Sequence, residues 1–291
     1  MSGLQVSFEF FPPKSPEMEE NLWGAIKRLE PLAPRFISVT YGAGGGTRER
    51  THRTVKRILA ETTLVPAAHL TCVAASRAEV DQVARDYWEA GVRHIVALRG
   101  DPPGGSGPYQ PPADGYQYAA DLVTGLKAVR DFEITVACFP EGHPESTSPH
   151  LDLDHLKRKI DAGATRAITQ FFFDNEQYFR FLDKVRRRGI FCEIVPGIMP
   201  VTNFRMMCGF AERAGASVPR WLGQRFDGLD DDPETRLLVA ATTVAEQVQG
   251  LAEQGVREFH FYTLNRADLS FAICHILGIR PKKAAPLEAA P

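Results

Sequence analysis

A single (β/α)8 barrel is the fold this sequence predicts, and three observations predict it. Short β-branched or aromatic runs alternate with longer amphipathic ones, glycine recurs just ahead of the strand-like runs, and no linker-like shift of composition divides the 291 residues. Such barrels commonly form one domain of about 250 residues, so the length suits a barrel over 1–280 with a disordered tail at 281–291. The rival is an open doubly wound sheet, or two such halves; the undivided composition favours the barrel.

Eight strand-like runs appear in order: Val6–Phe11, Phe36–Thr40, Pro66–Thr71, His94–Leu98, Ile134–Cys138, Arg166–Phe171, Cys192–Pro196 and Glu258–Tyr262. Helix starts lie between them. Ser15-Pro16 sets a cap before a proline at the first helical position, Ser76-Arg77-Ala78-Glu79 fits a capping box, and Asp174-Asn175-Glu176-Gln177 fits one with Asp as the cap. Gly91, Gly163, Gly189 and Gly255 each stand shortly before a strand, where a left-handed helix C-cap belongs. The stretch 219–253 is too long for one helix and must hold two. Strands each followed by a helix imply parallel crossovers, and closing the sheet at eight strands removes both edges.

Bulk composition narrows the function. Hydrophobic residues make up 44% and charged residues 24%, enough for a sizeable core. A net charge of −2 gives no field that would draw nucleic acid or an anionic membrane. No run approaches the about 18 consecutive apolar residues of a membrane span, and the N-terminus lacks the pattern of a signal peptide, so a cytoplasmic protein is expected. Five cysteines without CxxC spacing read as reduced thiols, and no HExxH or His-Asp cluster calls for a metal; none is expected.

If the barrel is right, chemistry belongs at the C-terminal ends of strands, and polar or glycine-rich residues gather there. Glu9, between Phe8 and Phe10, alternates away from its aromatic neighbours and towards the barrel interior or mouth. A carboxyl so shielded is favoured in its protonated form and suits general-acid work; the plain alternative is a solvated surface acid. Gly44-Gly45-Gly46 before Thr47 matches no phosphate-loop pattern and reads first as a flexible turn. Arg99-Gly100-Asp101-Pro102-Pro103 is either a site or a turn in which Arg99 pairs with Asp101. His143 is by itself a loop histidine. Gln170 either satisfies local backbone or reads a heterocycle through paired donor and acceptor contacts. The Lys157-Arg158-Lys159 run is ordinarily a solvated helix face, and no GxSxG elbow supports a hydrolase.

Taken together, Val6-Ser7-Phe8-Glu9-Phe10-Phe11-Pro12-Pro13, Val39-Thr40-Tyr41-Gly42-Ala43, His69-Leu70-Thr71-Cys72, Ala97-Leu98-Arg99-Gly100-Asp101, Ile168-Thr169-Gln170-Phe171-Phe172-Phe173-Asp174, Pro196-Gly197-Ile198-Met199-Pro200 and His260-Phe261-Tyr262-Thr263-Leu264-Asn265-Arg266 resemble the methylenetetrahydrofolate reductases of bacterial type, from about Leu4 to Ile279. The resemblance implies a (β/α)8 barrel, bound FAD, a reduced nicotinamide (NADH favoured over NADPH) as hydride donor, and 5,10-methylenetetrahydrofolate as acceptor. Donor and acceptor would take turns at one seat in a ping-pong cycle. It implies Glu9 as the general acid that protonates folate N10, and Asp101 as a charge beside flavin and pterin that keeps hydride transfer downhill.

Flavin contacts would fall on Thr40, Tyr41, Ala43, His69, Arg99, Gly100, Asp101, Ala119, Phe139, His143, Asp152, His155, Arg158 and Lys159. Folate contacts would fall on Gln170, Met206, Phe210 and Arg266. Four departures stand out: Phe139 where tyrosine is familiar, His155 for asparagine, Met206 for glutamine, and a longer proline-rich loop at 108–116. The resemblance also implies a homo-oligomer. The chain has no length for a regulatory domain after the barrel, so no control by S-adenosylmethionine is expected.

Overall fold

The computed structural model describes residues 3–41, 48–102, 109–146 and 148–282. The readings placed on Ala43, Gly44-Gly45-Gly46, Thr47, Pro103 and the tail from 283 lie outside those residues. In chain order run β1 (Gln5–Phe10), α1 (Pro16–Leu29), a 3-10 turn (Glu30–Leu32), β2 (Ile37–Val39), α2 (Arg48–Glu61), β3 (Pro66–Thr71), α3 (Arg77–Glu89), β4 (His94–Leu98), α4 (Ala119–Val129), β5 (Glu133–Cys138), α5 (Pro149–Asp161), β6 (Arg166–Thr169), α6 (Asn175–Arg187), β7 (Glu193–Val195), β8 (Gly197–Ile198), α7 (Phe204–Ala214), α8 (Arg220–Phe226), α9 (Pro233–Glu253), β9 (Glu258–Tyr262) and α10 (Ala267–Ile276).

All paired strands are parallel, in the order β7-β6-β5-β4-β3-β2-β1-β9-β8. The extra strand is β8: the predicted seventh run ends at Pro196, and past that proline the chain adds a second short strand, Gly197–Ile198. Pro196 has no N–H to give a ladder, so β7 pairs with β6 below it and β8 pairs with β9 above it. The Pro196 carbonyl still accepts from His260 N–H at 3.0 Å, which draws the two edges into a nearly closed barrel. Gly197 makes the bend feasible: a Cβ there would stand 2.2 Å from the Thr169 carbonyl oxygen, and its N–H donates to Thr169 Oγ1 at 2.8 Å.

The helix signals hold with one correction. Ser15 caps α1, and Ser76 and Glu79 form the reciprocal box on α3. Asp174 caps α6 through Glu176 N–H, but among the described residues the Gln177 side chain returns no bond to the Asp174 N–H, so the capping box there is only half made. Gly91, Gly163, Gly189 and Gly255 all sit at positive φ, the left-handed region that costs other residues about 1–2 kcal/mol. The stretch before the last strand holds α8 and α9.

Alternation along each strand sorts side chains between two compartments. Phe8, Phe10, Ile37, Leu70, Ile95, Val136, Phe259 and Phe261 pack outward in the cluster shared with the helices. Phe36, Ala67, Val96, Ile168 and Val195 form a separate cluster inside the barrel. Beneath that layer, at the N-terminal ends of the strands, Arg166 meets Glu133 at 2.5 Å and Glu193 and Glu258 at 3.5 Å, while Arg35 meets Glu258 at 2.6 Å. The lower end is therefore filled by ion pairs and the middle by hydrocarbon. Room for a ligand is left at the C-terminal end.

Candidate active site

Four strand tips supply the floor of that upper end. Glu9 is the fifth residue of β1, His69 the fourth of β3, Tyr262 the last of β9, and Gln170 directly follows β6. Glu9 Oε2 lies 3.4 Å from His69 Nε2 and 3.8 Å from His260 Nε2, with the Glu9 side chain 13% exposed. The register sets Tyr262 beside Glu9, and Tyr262 O–H donates to the Thr169 carbonyl at 2.8 Å, one residue before Gln170. Burial, reinforced by Glu9, drives the Tyr262 phenol well above its ordinary value, so it stays a neutral donor. Gln170 N–H donates to Cys138 C=O at 2.7 Å, and Phe171 N–H donates to Gln170 Oε1 at 3.0 Å. One half of the amide is thus spent on backbone and its NH2 end is left to recognise a ligand.

Burial holds the His69 imidazole down to about 4, against the pull of Glu9, while His260 adds to the lowering. His69 is therefore neutral at neutral pH, and a stability consequence follows. Between pH 6.5 and 4 the unfolded chain takes up a proton that the folded one refuses, so stability falls as pH falls through that window by about 3 kcal/mol from this group. Thermal melts of wild type and His69→Gln should converge towards pH 4. Parallel curves would refute the assignment.

A second group occupies the rim after β4 and β5. Gly100 sits at φ 88, where a Cβ would meet Val73 Cγ1 at 2.5 Å, so this turn presses its backbone against the loop after β3. Arg99 does not pair with Asp101. Its guanidinium takes Glu145 at 2.7 and 3.1 Å and lies 4.5 Å from the Tyr109 ring centre, leaving Asp101 exposed at the mouth. His143 meets Phe139 edge-on at 4.7 Å, and its backbone N–H donates to Asp152 at 3.0 Å. Its Nδ1 accepts from Glu145 N–H at 3.1 Å, so in the neutral ring Nε2 carries the hydrogen. Burial, with Arg99 adding to it, lowers the His143 imidazole and keeps that ring neutral.

Along α5 the basic run divides. Lys157 pairs with Asp161 at 2.8 Å on the surface, the Arg158 guanidinium lies 3.0 Å from His155 Nδ1, and Lys159 Nζ donates to the Ala137 carbonyl at 2.5 Å. Burial lowers Lys159 to about 8. His155 faces the Tyr118 ring at 6.1 Å, next to Ala119 at the start of α4.

The remaining candidates are more dispersed. Met206 is 60% exposed in the first turn of α7, and Phe210, one turn on, packs against the Arg213 guanidinium at 5.1 Å. Arg266 is exposed just before α10. With Thr40 and Tyr41 it lines a groove of about 1390 Å³ bounded by α1, α9 and α10. That groove lies beside the mouth and contains none of Glu9, Asp101 and Gln170. Sequence reading missed His260, Tyr262 and Glu145; alternation on the last strand, which puts Glu258, His260 and Tyr262 on one face, carried the signal for the first two. Among the described residues there is no metal-holding group of three or more His, Cys, Asp or Glu, and no helix long and apolar enough to cross a membrane.

Fold and site together define a (β/α)8 barrel with a shielded carboxyl, neutral imidazoles and a cation-bearing rim at its C-terminal mouth. The chain belongs to the methylenetetrahydrofolate reductase family, whose model matches residues 2–278. It is 56% identical over 278 residues to the 5,10-methylenetetrahydrofolate reductase of Escherichia coli (strain K12), covering 96% of this chain and 92% of that one. It is 33% identical to methylenetetrahydrofolate reductase (NADH) 1 of Arabidopsis thaliana, covering 94% of this chain and 48% of that one. A solved structure from Clostridium thermocellum, an uncharacterised protein that binds two copies of 5-methyl-5,6,7,8-tetrahydrofolic acid, superposes with TM-score 0.61 at 14% identity, over 95% of both chains; this likeness concerns the fold.

Proposed function

We propose that this protein reduces 5,10-methylenetetrahydrofolate to 5-methyltetrahydrofolate, with FAD as its bound cofactor and a reduced nicotinamide as electron donor. The observation that carries the reading is the Glu9 carboxyl at the barrel mouth, held 3.4 Å from a neutral His69 and one strand from Tyr262, whose hydroxyl bonds the carbonyl of Thr169 just before Gln170. Family membership supports the substrate. NADH is favoured over NADPH, in line with the name of the Arabidopsis relative.

The residues of the rim suit a flavin dinucleotide. Arg99, Arg158 and Lys159 bring cationic donors for a pyrophosphate, His143 brings a neutral N–H, and Tyr118 with His155 offers planar faces. Thr40, Tyr41, Ala43, His69, Gly100, Asp101, Ala119, Phe139 and Asp152 complete the proposed set. When bound, FAD would relay hydride from the nicotinamide to the folate, the two occupying one seat in turn.

The protein's own groups do the rest. Glu9 gives its proton to folate N10 as the bond from N10 to the bridging carbon breaks, with the electron pair staying on N10. The carbon is left as an iminium on N5, ready to accept hydride. Asp101 sets a negative charge at the rim that favours a cationic acceptor. Gln170 turns its NH2 to the pterin, Phe210 stacks on whichever substrate is present, Arg266 takes a folate carboxylate, and Met206 offers only an apolar contact. Glu9 then recovers a proton from water.

An anaerobic spectral cycle tests this. The FAD-loaded protein should be yellow, bleach on addition of NADH, and regain its absorbance on addition of methylenetetrahydrofolate. A protein that binds no FAD on reconstitution, or whose bleached form ignores the folate, would refute the reading.

A further inference from the structure

The proline-rich stretch 109–116 takes no part in the steps above, yet it is built onto the rim of the barrel. Arg77, at the start of α3, donates its backbone N–H to the Asp114 carbonyl at 3.0 Å and its Nε–H to the Gly115 carbonyl at 3.2 Å. Gly115 passes so close that a Cβ there would stand 2.6 Å from the Ala75 carbonyl oxygen. Tyr116 is buried, lies 5.3 Å from the Arg77 guanidinium, and donates its O–H to Asp81 at 2.7 Å. The stretch is clamped to α3 at one end and carries Tyr109 onto Arg99 at the other.

Arg99 is held there from three sides. Its Nε–H donates to the Gly100 carbonyl at 3.0 Å, its two terminal nitrogens donate to Glu145 at 2.7 and 3.1 Å, and its guanidinium carbon lies 4.5 Å from the Tyr109 ring centre. The Arg99 carbonyl accepts from the buried Cys72 thiol at 3.3 Å, and the Tyr109 hydroxyl lies 3.9 Å from the same sulfur. A guanidinium has five N–H bonds, so one on each terminal nitrogen is left for a ligand. A free arginine loses rotamer freedom when a ligand fixes it; one fixed beforehand avoids that loss and binds more tightly. The Tyr118 ring stands 6.0 Å from Tyr109 and 6.1 Å from His155, so planar groups run from Arg99 to Arg158.

We propose that Tyr109 is a positioning residue for the flavin dinucleotide: its ring holds the Arg99 guanidinium in place, so that two oriented N–H bonds meet the pyrophosphate. The proposal rests on the reading of Arg99 as a FAD contact.

The test is FAD binding to the FAD-stripped protein, read by quenching of flavin fluorescence, in wild type, Tyr109→Leu, Tyr109→Phe, Arg99→Met and the double variant Tyr109→Leu with Arg99→Met. Tyr109→Leu loses the ring face and should raise the Kd for FAD about threefold to tenfold, the scale of one cation–π contact. Tyr109→Phe keeps the face and should stay within about twofold of wild type. In the Arg99→Met background Tyr109→Leu should change nothing further, because its partner is gone. An unchanged Kd in Tyr109→Leu, an equal loss in Tyr109→Phe, or a full loss that persists without Arg99 overturns the proposal. If Tyr109→Leu does not fold, Tyr109→Gln must show the same loss and the same dependence on Arg99. An Arg99→Met protein that binds FAD as tightly as wild type would instead overturn the reading beneath it, whatever the Tyr109 variants do.

Discussion

Glu9→Gln will still bleach its flavin with NADH but will return electrons to methylenetetrahydrofolate about 10²–10⁴ times more slowly than wild type. The amide keeps the volume and polarity of the side chain and loses only its transferable proton. Hydride uptake from a nicotinamide needs no acid. Opening the folate ring does, because N10 is a poor leaving group until it is protonated. The geometry gives no substitute at that position: His69 Nε2 is 3.4 Å from Glu9 but is held neutral down to about 4, and the Tyr262 phenol is pushed far from titrating. The two half-reactions should therefore separate.

The largest effect on the fold will come from Gly197→Ala. The new methyl carbon would stand 2.2 Å from the Thr169 carbonyl and 2.7 Å from the Tyr262 ring. Backbone at a strand junction cannot give way, so we expect a loss of about 3 kcal/mol or more, or no folded protein. Gly189→Ala is the contrast. Its φ is positive (74), unlike that of Gly197, but an added Cβ meets nothing within 4 Å, so it should cost only about 1–2 kcal/mol. Urea unfolding of both variants checks this; equal midpoints would mean that the β7–β8 bend is not the tight point of the barrel.

Much of this architecture was legible because it is written in local chemistry. Ser76 and Glu79 spell a helix start, the four glycines before strands spell helix ends, and Phe8-Glu9-Phe10 spells an acid turned away from the helices. The strand added past the seventh was harder to read. Pro196 disallows one ladder bond, but only the neighbouring strands decide whether the chain continues past it. Sequence also left open a pairing of Arg99 with Asp101, its nearest acid along the chain. The partner is Glu145, 46 residues on, brought there by the loop after β5. Likewise nothing in the order of residues says that Ser7 meets His260 across 253 positions; the closure of β9 on β1 does. Local signals fixed the elements and their facing, and the pairings across the mouth needed the barrel itself.

The claim on which all else depends is that one shielded carboxyl at this mouth supplies the proton for folate. Its most direct test is to measure both half-reactions in one preparation of FAD-loaded Glu9→Gln. The account predicts a folate rate at least about a hundredfold below wild type with the NADH rate within about threefold. A folate rate equal to wild type, or equal losses in both steps, would contradict it.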